Sequence, residues 1–143
     1  MIRFELPLTG RGWAEARISD GPISAAASAS YISDGIRDFI GALQSLFLSA
    51  QTASCSFAEE PGEFRWEFER VASSVRIRLA WLPEGGSHEL LFDGSHELVA
   101  FAKQVDAVLD RLLAEWGAEG YEQEWGYPFP HEAHLRLKQG ITR

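Results

Sequence analysis

The sequence predicts an α+β fold. It reads as a two-layer sandwich in which a mostly antiparallel meander sheet of about seven strands carries two main helices on one face, in the order βββ-α-ββββ-α, with a short C-terminal helical appendage. Three observations predict this. Turn signals at Thr9-Gly10-Arg11-Gly12, Asp20-Gly21, Glu60-Pro61-Gly62-Glu63, Ala72-Ser73 and Pro83-Glu84-Gly85-Gly86-Ser87 recur at short spacing. Residues 63–82 alternate apolar and charged side chains with the period of a half-buried strand. Residues 36–47 and 98–116 instead repeat apolar side chains at i, i+3, i+4 and i+7, the period of an amphipathic helix.

Residues 2–8 read as a first strand, and Pro7 near its end points to an edge, because proline has no N–H to give to a ladder. Residues 13–19 and 22–31 read as the next two strands, turning at Asp20-Gly21, where both residues tolerate positive φ. A two-residue loop there pairs Ile18 with Ile23, Ala16 with Ala25 and Ala14 with Ala27. One face of this hairpin is then nearly all small, which predicts a helix docked closely on it. Ser33 is placed as N-cap of the first helix, with Asp34 in the first turn, where its charge favours the helix dipole. Ile36, Phe39, Ile40, Leu43, Leu46 and Phe47 form its apolar stripe, to about residue 49. Gly41 interrupts the stripe at a cost of about 1 kcal/mol relative to alanine, which predicts a tight contact with the sheet.

Residues 52–82 carry the clearest pattern. With Pro61-Gly62 central to a type II turn, Phe57 faces Trp66 and Cys55 faces Phe68. A two-residue turn at Ala72-Ser73 pairs Phe68 with Ile77, Trp66 with Leu79 and Phe64 with Trp81, and sets Glu69 against Arg76 and Glu67 against Arg78 on the other face. The two turns agree on which face is apolar, and a one-residue slip would reverse every side chain. Residues 88–93 read as a short last strand, and Ser95 as the cap of a second helix. Leu98, Phe101, Ala102, Val105, Val108, Leu109, Leu112 and Trp116 make the apolar face of that helix. Gly117 and Gly120 interrupt or end it, residues 118–125 read as a further short helix, residues 127–130 as extended, and residues 131–139 as a final helix opened by Pro130.

The chain has 143 residues, the size of a single domain (1–143) with its own core and no need of a disulfide or metal staple. A formal net charge of −8 repels phosphate backbones, so nucleic acid is not expected as a partner, while a basic protein partner is compatible with it. Cys55 is the sole cysteine, which fits a reducing compartment. Met1 runs into Ile2-Arg3-Phe4-Glu5-Leu6 with no basic segment followed by an apolar run, and no stretch approaches a membrane span. The expectation is a cytoplasmic, bacterial protein without a membrane partner.

No catalytic or cofactor motif stands out, so no catalytic, cofactor-binding or metal residue is assigned. His131-Glu132-Ala133-His134 puts two histidines one helical turn apart, but it is a residue short of the His-Glu-x-x-His spacing and lacks a third ligand. His88 and His96 flank the last strand and add ligands only if the fold brings them close. Cys55 sits mid-strand on the apolar side, where a cysteine behaves as a small hydrophobe, and Ser54 has no nucleophile elbow around it. Two surfaces remain as candidates. Glu67, Glu69, Arg76 and Arg78, with Glu63 and Arg65, form a charged sheet face that is either a solvated set of ion pairs or a recognition surface on rigid strands. Trp125, Tyr127 and Phe129, with Trp116 and Tyr121, form an aromatic segment that either closes the core or presents an exposed patch.

The stretches Gly12-Trp13, Ser30-Tyr31-Ile32-Ser33-Asp34, Glu59 to Trp66 and Tyr127-Pro128-Phe129-Pro130 resemble those of a family of small bacterial proteins. The resemblance covers most of the chain and implies a shared fold, with no activity, cofactor or catalytic residue to transfer. The function expected from the sequence is a non-enzymatic protein-binding module, one version being an immunity-type protein that covers a basic toxin. A second class is a small-ligand binder or enzyme with a pocket between the sheet and the C-terminal segment, around Glu124, His131 and Glu132. A third is a homo-oligomer joined through the edge of the first strand or the aromatic tail.

Overall fold

The computed structural model describes residues 1–142 and has the predicted α+β order, in antiparallel strands throughout. The expected first strand is split at Leu6-Pro7 into β1 (Ile2–Glu5) and β2 (Leu8–Gly10). Both pieces run against the same edge of β3 (Trp13–Asp20), and Pro7 O bridges them by accepting from Glu15 N at 3.0 Å. β4 (Ile23–Ser30) takes the other edge of β3. After α1 (Gly35–Ser45) come β5 (Thr52–Ala58), β6 (Glu63–Val71), β7 (Ser74–Leu82) and β8 (Glu89–Glu97), then α2 (Leu98–Trp125) and α3 (His131–Ile141). The strands do not form one continuous meander. They divide into a first sheet of β1 to β4 and a second sheet in the order β5-β6-β7-β8.

The β6–β7 register is the expected one: Phe68 lies opposite Ile77, Trp66 opposite Leu79, Phe64 opposite Trp81, Glu69 opposite Arg76 and Glu67 opposite Arg78. Two other hairpins differ by two residues, which keeps every side chain on its expected face. Asp20 pairs with Ile23, so Ile18 meets Ala25 and Ala16 meets Ala27. The turn is Gly21-Pro22, since Pro22 cannot donate to the ladder and Gly21 takes the positive φ (61°). Likewise Cys55 pairs with Trp66 and Phe57 with Phe64, around a four-residue loop, Glu59–Gly62, closed by Glu59 N and Glu60 N on Gly62 O. Gly62 is required there: a Cβ would come within 2.5 Å of the Trp81 ring.

The helix boundaries also shift. Asp34, not Ser33, caps α1, its carboxylate accepting from Arg37 N. The helix ends at Ser45, and i→i−3 bonds at Leu46, Phe47 and Leu48 tighten the chain beyond it. β8 extends to Glu97, so Ser95 is a strand residue opposite Arg76 rather than a cap, and α2 begins at Leu98. The strand continues because β7 offers it a nine-residue partner and Asp93 holds both arginines of that partner. Gly117 breaks α2 as expected (φ 68°, ψ 166°), and residues 118–125 resume as helix. Trp116, beside the break, is 38% exposed rather than part of the apolar face.

One core joins both sheets and the helices. Phe39 of α1 is its hub, stacked on Phe4 at 5.1 Å and edge-on to Trp66 at 5.1 Å and Phe68 at 5.3 Å. Trp66, Phe68, Ile77 and Leu79 are fully inside, while Phe64 and Trp81 pair at its margin with ring centroids 4.7 Å apart. The alanine face of the first sheet (Ala14, Ala16, Ala27 and Ala29, all 0% exposed) admits more than the helix expected there. Backbones of α1, β5, β6 and β8 all approach β4 within 8 Å. Among the described residues no helix is long and apolar enough to cross a membrane.

Candidate functional site

The outer face of the second sheet is a shallow concavity of about 770 Å³, with Thr52, Ser54 and Ser56 of β5, Arg65, Glu67 and Glu69 of β6, and Arg76 and Arg78 of β7 along it. The strands place these side chains outward because Trp66, Phe68, Ile77 and Leu79, at the alternate positions, are committed to the core. Glu67 and Glu69 lie opposite Arg78 and Arg76 on the backbone, but their side chains do not pair as expected. Arg76 makes a two-point bond to Asp93 of β8 (2.9 and 2.8 Å), and Arg78 reaches the same carboxylate at 3.7 Å. The fork of a guanidinium matches a carboxylate in this geometry, and the short Asp93 side chain is held in place by the strand. Those hydrogen bonds hold Asp93 below the ordinary carboxylate range and raise Arg76 further. Among the described residues Glu67 and Glu69 close no ion pair, although Glu69 still acts on Arg76 through space. Sequence pairing rules missed Asp93 because β8 runs on to Glu97 instead of ending at residue 93; its place opposite Arg78 is the signal that finds it.

A second concavity, about 780 Å³, lies between α1, β5 and the C-terminal segment. Asp38, Gly41 and Ala42 of α1 form one wall, Tyr127 to Ala133 another, and Ser54 and Cys55 of β5 the rim shared with the sheet face. Of the residues expected to gather near such a pocket, His131, Glu132 and Tyr127 line it, while Glu124 and Trp125 do not. Glu132 is bonded to Arg136 at 2.6 Å, one helical turn on. Partial burial raises Asp38 above the ordinary carboxylate range, opposed by Arg37 and assisted by Asp34. The Cys55 thiol is pushed far above its ordinary range by burial and by the charge of Asp38, so the thiolate that nucleophilic chemistry requires is suppressed.

The aromatic segment is mostly interior, which removes Trp125 and Phe129 from the expected interaction surface. Trp125 is 0% exposed and its indole N–H donates to Asp34 at 3.0 Å, so one carboxylate both caps α1 and anchors the tail. Phe129 packs edge-on to Tyr121 at 5.2 Å, and the half-buried Tyr127 donates its hydroxyl to Tyr31 O at 2.6 Å. Gly12 N bonds Glu124 O at 2.7 Å, tying the first sheet to the end of α2. These anchors close the core's open end, as the tail's composition allowed.

His134 turns inward instead of joining His131. Its Nε2 lies 2.7 Å from Asp106 and 3.4 Å from Asp110, carboxylates one turn apart on α2. The three groups offer ligand atoms within 4.8 Å of one another. Lys138, one turn beyond His134, places its ammonium 2.7 Å from Asp106 and 3.2 Å from Asp110, where a metal cation would have to sit. The cluster is an interhelical ion-pair network that holds α3 on α2. Comparison with protein-family models, curated proteins and solved structures gives no match, so the geometry alone carries the functional reading.

Proposed function

We propose that this chain is a non-enzymatic binding module that engages a basic protein through the outer face of the second sheet. One observation carries the reading: Glu67 and Glu69 stand exposed on rigid strands, without ion-pair partners among the described residues, because Asp93 has taken the arginines that face them. A net charge of −8 supports it, since such a field speeds encounter with a cationic surface. A concave face built on paired strands needs little ordering on binding, which keeps the entropic cost low. An immunity-type protein that covers a basic toxin is one form of such a module, supported by the net charge of −8 and the length of 143 residues.

The test is affinity capture from a lysate of the source cells with the wild-type chain and with Glu67→Lys/Glu69→Lys, across a salt series. The reading expects a stoichiometric basic protein that is retained by the wild type, released by salt and lost from the variant. Equal capture by both chains, or no stoichiometric partner at all, removes it.

A further inference from the structure

The four sheet edges differ in how their outward-pointing backbone groups are closed. On β1 the carboxamide of Gln104 takes one outward C=O and one outward N–H, donating to Ile2 O at 2.7 Å and accepting from Phe4 N at 3.1 Å. On β8 a register shift and the charges of Asp93 and Glu97 blunt the edge. On β4 the C-terminal half is covered where Ser30 Oγ donates to Ala58 O and Ser28 Oγ to Glu59. The concavity beside its other half is lined by the first sheet alone, so no second wall stands opposite.

The edge of β5 is different. Gln51 O accepts from Arg70 N, which fixes the alternation: residues 53, 55 and 57 bond to β6, and Thr52, Ser54 and Ser56 aim N–H and C=O away from it. Among the described residues nothing bonds those outward groups of Ser54 and Ser56. No charged residue or proline lies in β5 to blunt the edge. Directly beside it the cleft has a far wall, Gly41 and Ala42 of α1 with the segment from Tyr127. A Cβ at Gly41 would meet nothing within 4 Å. Helix propensity therefore favours alanine there, and no contact within the chain explains the glycine.

We propose that the β5 edge is a strand-addition site, taking an extended segment of a partner protein, basic and apolar residues alternating, as a further strand of the second sheet. The inference rests on the reading of a basic protein partner and adds where its backbone docks. An added strand lies about 4.8 Å from β5 and bonds the free groups of Ser54 and Ser56. Its side chains opposite Thr52 and Ser54 fall on the outer face, where only small side chains separate them from Glu69 and Glu67 on β6. Long basic side chains span that gap. The alternate side chains point into the cleft and occupy the space left open at Gly41.

The probe is a fluorescein-labelled heptapeptide of alternating lysine and valine, followed by anisotropy with the full chain. Two further forms carry backbone N-methyl groups, one on the lysines and one on the valines, with charge unchanged. Strand addition expects one methylated form to bind like the parent and the other to lose about tenfold or more, since only alternate N–H groups face β5. Ser54→Pro, whose missing N–H lies outside the β5–β6 ladder, and Gly41→Leu, which fills the cleft, should each weaken the parent peptide by about tenfold while thermal unfolding reports an intact fold. Equal binding by both methylated forms, or unaltered binding by Ser54→Pro, overturns strand addition. If that binding is still lost in Glu67→Lys/Glu69→Lys, the basic-partner reading survives on its own. Failure of the parent peptide to bind the wild type also overturns strand addition and leaves the partner reading to lysate capture.

Discussion

The two sheets differ in what their central strands turn inward. In the first, β3 and β4 turn alanines inward at Ala14, Ala16, Ala27 and Ala29, beside Ile18 and, on β1, Ile2 and Phe4, and Gln104 bonds the outer edge of β1. The second turns Phe57, Trp66 and Phe68 inward and leaves the β5 edge open at Ser54 and Ser56. Small inward residues let other backbones come close and make the first sheet a framework. Large inward residues such as Phe57, Trp66 and Phe68 fill the core from the other side and leave the opposite face of the second sheet for charge. The difference teaches that one core can be shared between a sheet that lends proximity and a sheet that lends volume, with function left to the second.

Deleting volume is the strongest way to break this contrast. Trp66→Ala, at the centre of the aromatic cluster, should cost about 3–5 kcal/mol in denaturant unfolding. The indole N–H of Trp66 has no hydrogen-bond partner, so the loss is one of packing and cavity rather than of a polar contact. Adding volume to the other sheet is the complementary test. Ala27→Leu should cost about 1–3 kcal/mol, because Ala27 is fully buried on a strand whose neighbours α1, β5, β6 and β8 approach within 8 Å. A neutral Ala27→Leu would mean that the alanines are incidental and that proximity is not what the first sheet supplies.

Within α1 two glycines sharpen the same contrast at single-methyl scale. A Cβ at Gly35 would come 2.7 Å from the Phe57 ring, so Gly35→Ala must displace a buried aromatic and should destabilise. Gly41→Ala has open space and should stabilise by about 1 kcal/mol through helix propensity. Thermal unfolding of the two variants should therefore move in opposite directions.

The fold was legible where patterns were redundant. Residues 63–82 carry alternation, a turn and cross-strand charge at once, and every predicted pair from Phe64–Trp81 to Glu69–Arg76 occurs. Where a loop alone set the register, as at Gly21-Pro22 and Glu59–Gly62, the face was right and the pairing two residues off. Face follows from the apolar period, whereas pairing depends on which turn residue gives up its N–H. The division into two sheets was not legible, because local periodicity says nothing about which edge meets which. The site was half legible. Glu67, Glu69, Arg76 and Arg78 share one face as expected, but Trp125 went inside to reach Asp34, a contact 91 residues away in sequence. The openness of β5 depends mainly on what fails to cover it, and its uncharged, proline-free sequence is the one part of that the strand records.

The smallest expected effect concerns Asp93, which decides whether the charged face is neutral or acidic. Its carboxyl is held below the ordinary value by the hydrogen bonds of Arg76, with Arg78 adding to them. A group depressed in this way contributes stability above its unfolded value, near pH 4, and loses that contribution as pH falls through the folded value. The pair is at the surface, where solvent screening keeps the contribution small. Asp93→Asn should lower the unfolding midpoint slightly at neutral pH, and the two proteins should converge as the medium is acidified below the folded value. The same substitution releases Arg76 and Arg78 toward Glu69 and Glu67, the residues opposite them. Binding of the lysine–valine peptide should then weaken at neutral pH, although neither glutamate has been touched. An acid limb that converges without any change in peptide affinity would separate the two roles and leave Asp93 a stabilising residue only.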